Sequence, residues 1–111
     1  MARERSLLAE LRAETLRRVQ SLQDSFDGIV EATSDVATDD EHDPEGNTIA
    51  WERQQIAALL DEAKLTLVDI DAAEQRLDKE SYGICTICGE QIAPERLEAL
   101  PATQTCVRCA R

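Results

Sequence analysis

The chain has 111 residues, with 23 acidic against 12 basic side chains and a formal charge of −11. That length allows one compact domain, or one elongated element with a small module. The charge argues against a sequence-independent nucleic-acid binder, which needs Lys and Arg against phosphates. Phe26, Trp51 and Tyr82 are the only aromatics, so any core is thin, and no apolar run is long enough for a membrane span.

From Leu8, apolar or small residues recur at Leu11, Thr15, Val19, Leu22, Phe26, Ile29, Thr33 and Val36. Steps of three and four place them on one side of a helix and exclude strand alternation. Gly28 weakens this helix by roughly 1 kcal/mol relative to Ala without ending it. A second stripe runs through Ile49, Glu52, Ile56, Leu59, Ala63, Leu67, Ile70, Ala73 and Leu77, with Glu52 its one charged member. Between the stripes lies Thr38–Thr48, where Pro44 and Gly46 are helix breakers and Asp, Asn and Thr suit a turn or N-cap. Two similar helices joined by a short breaker predict an antiparallel hairpin. The fold class is therefore all-α dominated: a long helical hairpin (coiled coil) over 1–80, its tip around 38–48, and a small module over 81–111.

Charge is unevenly spread along the hairpin. No Lys or Arg occurs between Arg18 and Arg53, while that interval holds ten Asp and Glu residues. In a hairpin these acids gather toward the tip, where mutual repulsion opposes folding. The bland reading is a solvated surface. The functional reading is a tip that meets something positive, with Asp40, Asp43 and Glu45 as the carboxylates concerned. Trp51, near the tip, either contacts a partner or caps the stripe. His42, a lone loop histidine, reads as solvated.

Four cysteines close the chain as Cys85-x2-Cys88, seventeen residues, then Cys106-x2-Cys109. Each pair can form a tight knuckle aiming both sulfurs at one point, and two knuckles supply a tetrahedral Zn²⁺ site. Gly83 and Gly89 stand where such a knuckle needs positive φ. Disulfides and a redox pair are the rivals. The charged start Met1-Ala-Arg-Glu-Arg has no apolar region typical of a secretory signal, so a reducing cytoplasm is expected, which disfavours disulfides. A redox Cys-x-x-Cys belongs near a βαβ pattern, absent here. Four cysteines fill the coordination sphere, so one structural Zn²⁺ is expected, holding together a segment too short to bury its own core.

The finger carries specific words: Tyr82-Gly83-Ile84-Cys85-Thr-Ile-Cys88-Gly89, Ile92, Arg96-Leu97-Glu98-Ala99, Pro101 and Cys106-Val-Arg-Cys109. With an acidic-tipped helical hairpin before it, the chain resembles the DksA/TraR family of transcription regulators. The likeness is detailed over Ser81–Arg111 and architectural over the rest. It implies binding to RNA polymerase, with the hairpin inserted into the secondary channel and no direct contact to DNA. No nucleophile–base pair, phosphate loop or Ser/His/Asp set appears in the sequence, so no enzymatic activity is expected, and the chain is expected to be a monomer. Arg96 is then a candidate partner contact at the base, or an internal bond to the hairpin.

The chain departs from the family pattern in two places. The family tip reads Asp-x-x-Asp-x-Ala, whereas counting back from Cys85 puts His42, Glu45 and Asn47 there, and a one-residue shift does not restore both aspartates. Members that respond to guanosine tetraphosphate use basic groups where this chain has Asp69, Leu100 and Ala110, so a weak or absent response is expected. Two further classes remain open. In a transcript-cleavage factor, tip carboxylates hold a Mg²⁺ in the polymerase, and cleavage of stalled complexes would reveal it. In a zinc-stapled adaptor outside transcription, the partners would not include polymerase subunits.

Overall fold

The computed structural model describes residues 2–34 and 44–110, with side chains at 2–29 and 48–110. Three helices are present among them: α1 (Ala2–Ser34), α2 (Pro44–Asp78) and α3 (Pro94–Ala99). α1 and α2 form an antiparallel helical hairpin, followed by the four-cysteine finger. No helix is long and apolar enough to cross a membrane among the described residues.

The start of α2 corrects one expectation. Residues 44–48, read from sequence as part of the breaker, are helical. The physical reason is position. At the first helical residue Pro44 lacks only an N–H that would have no intrahelical partner, and its fixed φ suits a helix start. Gly46 falls in the same turn. Asp40 and Asp43 lie outside the described residues.

Both apolar stripes face inward over their described side chains, with Thr33 and Val36 of the first stripe outside them. Leu8 and Thr15 are buried in α1, and Leu11, Val19, Leu22, Phe26 and Ile29 are half-buried. In α2, Ala63, Ile70, Ala73 and Leu77 are buried, and Ile49, Ile56, Leu59 and Leu67 are half-buried. Glu52 breaks the expected run and is exposed, because a carboxylate loses too much hydration on burial without a partner. Leu60, which the stripe passed over in favour of Leu59, is the more buried of the two at 6% exposure.

The chain divides into two compact units. One comprises residues 16–64, where Leu60 and Ala63 are the buried hydrophobics among the described residues. Its α1 surface carries two side-chain bonds one turn apart, from Gln20 to Asp24 at 2.9 Å and from Gln23 to Asp27 at 3.0 Å. Such pairs each stabilise a helix by a few tenths of a kcal/mol.

The other unit comprises residues 1–15 and 65–111. Its main core is Leu8, Ile70, Ala73 and Leu77, with Leu11, Leu67, Tyr82 and Ala102 packed against it. Here both helices and the finger share one apolar cluster. Arginines of α1 rim it: Arg5 bonds Asp78 at 2.7 Å, Arg12 reaches Asp71 and Glu74, and Arg3 pairs with Glu98 of α3. As the α1 number rises along α2, the partner's number falls, which fixes the antiparallel register. These pairs are largely exposed, so each contributes at most about 1 kcal/mol, and their main effect is alignment.

α2 ends in a Schellman motif. Ser81 N–H bonds the Arg76 carbonyl at 2.8 Å, and Glu80 N–H bonds that of Leu77 at 3.2 Å. The motif needs a left-handed residue, and Glu80 fills it at φ 60. Glycine would do so without the Cβ clash, which costs roughly 1–2 kcal/mol. Glu80→Gly is therefore expected to raise the urea midpoint by stabilising the unit about 1 kcal/mol. Ile70→Ala, at a fully buried position, should cost about 2–5 kcal/mol. Urea melts followed by circular dichroism check both, with exposed Val68→Ala as the near-neutral control.

Candidate metal centre

The finger begins where α2 stops. Ile84 and Gln91 form an antiparallel bridge, closed by Ile92 N–H to the Gly83 carbonyl at 2.7 Å. Within it Cys85 N–H bonds the Glu90 carbonyl at 2.8 Å, and Gly89 N–H returns to Cys85 O at 3.0 Å. Gly83 and Gly89 have φ of 84 and 76, the left-handed geometry expected of them from sequence. A Cβ on Gly83 would meet Leu97 Cδ1 at 3.5 Å, an ordinary van der Waals contact, so it is the positive φ and not space that asks for glycine there. The second knuckle is a tight turn in which Cys109 and Ala110 N–H both point at the Cys106 carbonyl, at 3.1 and 2.9 Å. Thr86 N–H to Gln104 O at 2.9 Å sets one knuckle beside the other.

This brings the four cysteines together. Their sulfurs all lie within 4.8 Å of one another. Cys88 Sγ and Cys106 Sγ, one from each knuckle, are 3.7 Å apart. A tetrahedron with Zn–S bonds of about 2.3 Å has edges of about 3.75 Å. The donor set therefore fits Zn²⁺ in chemistry and in size. Cys85 and Cys106 are buried with Ile92, while Leu97 and Cys109 pack against them.

The backbone prepares the sulfurs for charge. The Cys88 N–H, aided by that of Cys106, holds the Cys85 thiol down to about 6. The Cys109 N–H lowers Cys106 in the same way. Cys109 is pushed up to about 12, chiefly because its thiol donates to Cys106. By themselves the four thiols thus share protons unequally, and a divalent cation displaces the remaining ones. The filled sphere makes this a structural zinc site, not a centre with an open position for substrate.

Neighbouring side chains fix the knuckles. Arg108 pairs with Glu90 at 2.6 Å, joining the two knuckles across the surface. Arg96, on α3, donates from Nε to Thr105 O at 2.9 Å and from Nη2 to Thr103 Oγ1 at 3.4 Å. Its guanidinium is thus engaged within the finger, steadying the segment that leads into Cys106. Arg76 of α2 reaches the same segment through Thr103 O at 3.3 Å, and burial pushes its pKa down. Tyr82 O–H donates to Pro101 O at 2.8 Å.

Sequence reasoning missed α3, although Pro94 at its first turn and Glu95 beside it are start signals. The Tyr82–Pro101 and Arg76–Thr103 bonds carried no local signal. Of the residues expected at the tip, Trp51 is exposed at 61%. Glu45 stands in the first turn of α2, its side chain outside the described set.

Chelation should abolish the finger while leaving most of the helical circular dichroism signal, because the helices pack through their own stripes. Metal analysis should give one zinc per chain, and acid should release it, since the ligands bind as thiolates. A Cys88→Ser chain that retains stoichiometric zinc would overturn the assignment.

Residues 80–111 match the family described as the prokaryotic dksA/traR C4-type zinc finger. An uncharacterized protein of Aquifex aeolicus is 49% identical over 45 residues, covering 40% of this chain and 31% of that protein. The RNA polymerase-binding transcription factor DksA of Haemophilus influenzae is 37% identical over 49 residues, covering 44% of this chain and 34% of that protein. The chain thus spans about a third of the length of these relatives. Transcription factor DksA2 of Pseudomonas aeruginosa has a similar solved structure, with TM-score 0.52 and 28% identity over 93% of this chain and 79% of that one. Four sulfurs at zinc spacing thus sit in a finger of the dksA/traR C4 type over residues 80–111, and the helical architecture before it is similar to that of DksA2.

Proposed function

We propose that this chain is a transcription regulator that binds RNA polymerase and inserts the hairpin tip into its secondary channel. The observation that supports this best is the pairing of the family's zinc finger with a helical hairpin whose interval from Arg18 to Arg53 holds acids and no bases. An acidic projection suits a basic channel and is repelled by nucleic-acid phosphates. The zinc finger then acts as a clamp for the helices, and regulation does not pass through its sulfurs.

In this reading the hairpin over 1–80 and the finger over 81–111 divide the work. Asp40, Asp43, Glu45 and the exposed Trp51 meet the polymerase at the tip. Arg96 acts through the 103–105 segment it fixes, which a partner at the base would meet. Asp69 and Leu100 border one surface groove. Neither offers a cation to a phosphate, so guanosine tetraphosphate gains little from this chain.

The test is the triple variant Asp40→Ala, Asp43→Ala, Glu45→Ala in transcription in vitro, with and without guanosine tetraphosphate. Helicity and zinc content should be unchanged. Affinity for polymerase should fall less than about tenfold, the worth of about 1.4 kcal/mol, while the regulatory effect is largely lost. A variant that regulates like the parent would show the acids to be a solvated surface. Cleavage of stalled transcripts by the parent chain would reassign it to the cleavage factors.

A further inference from the structure

Beside the shared core of helices and finger lies an open groove of about 310 Å³. Leu11, Ala99, Leu100, Pro101 and Ala102 make it largely apolar, and Asp69 of α2 supplies its one carboxylate. Pro101 is buried, Leu11 and Ala102 are half-buried, and Leu100 is 51% exposed. Asp69 differs from the other acids on its stretch of α2. Asp71, Glu74 and Asp78 are each paired with an arginine of α1. Asp69 has no ion pair or hydrogen bond among the described residues, and Arg76 lies within its longer electrostatic reach.

An unpaired carboxylate beside an apolar wall selects for a cation with an alkyl stem. It repels an anion, and the chain's charge of −11 adds a long-range pull on basic groups. Arginine fits better than lysine. Its guanidinium is flat and weakly hydrated, so it loses less on approaching Pro101 and Leu100, and it can fork onto a carboxylate. The groove is open and, at the low end of roughly 300–1,000 Å³ for ligand sites, holds a single long side chain. So shallow a site holds an isolated arginine side chain with about millimolar affinity, and a partner protein adds further contacts around it.

We infer that this groove receives an arginine side chain of a partner protein, its stem along Leu11, Leu100 and Pro101 and its guanidinium on Asp69. The inference rests on the reading of the chain as a protein-binding factor and adds the chemistry of one contact at the base.

The experiment uses the full zinc-loaded chain and no polymerase. Methyl-resolved NMR follows a titration with a capped Gly/Ser peptide carrying one arginine, against the same peptide with neutral citrulline. The arginine peptide should move the methyls of Leu11, Ala99, Leu100 and Ala102, and citrulline should bind about tenfold more weakly, the effect of one lost charge-assisted contact. Asp69→Asn should bring the arginine peptide down to the citrulline level. Asp69 is exposed, so helicity and zinc content should not change. No methyl shifts at millimolar arginine peptide, or equal binding by the citrulline or a lysine peptide, would overturn the inference. Because polymerase is absent, failure here leaves the polymerase reading standing, and failure of a polymerase pulldown leaves the groove's chemistry standing.

Discussion

Four thiolates around one divalent cation are what allow the last thirty residues to have a structure at all. The finger's own buried cluster is Cys85, Ile92 and Cys106, and two of those three are ligands. An apolar side chain is worth roughly 1.5–3 kcal/mol on burial, so one isoleucine cannot offset the entropy of ordering two knuckles and a short helix. Metal binding supplies the difference. Once the knuckles are set, Tyr82 and Ala102 reach the helix core, and Arg76 and Arg96 reach the loop between α3 and Cys106. The helix base thus gains part of its apolar cover from a module that only a metal can hold.

Helix charge follows a division of labour. Toward the finger, acids of α2 are matched by arginines of α1, in pairs that set register more than they stabilise. From Arg18 to Arg53 no such match is possible, because the cations are absent. The same helices therefore combine internal compensation at one stretch with unbalanced negative charge at another. Asp69 is the exception within the compensated stretch, and its isolation is what gives the adjoining groove a preference.

Much of the fold could be read from spacing. The two stripes could be found because burial in a helix pair repeats every three or four residues, and the cysteines because a knuckle fixes their separation by two. Leu60 was missed since Leu59 and Leu60 fit a step of three or four equally well, and only packing chooses between them. Pro44 was misread since proline both ends and begins helices, and only its neighbours' backbone tells which. The left-handed Glu80 gave no signal, because glutamate is not a turn former and the motif tolerates it at a cost. The groove could not be seen in advance: its walls come from α1, α2 and the residues after α3, and nothing local joins Leu11 to Asp69 and Leu100.

The shared core also imposes an order on biosynthesis. Leu8 packs with Ile70, Ala73 and Leu77, in a cluster that Ala102 also touches, so the start of α1 needs partners made much later than itself. Until α2 has emerged, the start of α1 has no apolar surface to cover it, and an isolated helix is marginal in water. Residues 16–64 can pair first, since both of their helical segments are available sooner. The ligands follow, since all four cysteines are made after both helices, so zinc is loaded only once α1 and α2 have been synthesised. A cell short of zinc would then accumulate a chain with its hairpin begun and its base uncovered, exposing Leu8 and Ile70 to chaperones and proteases.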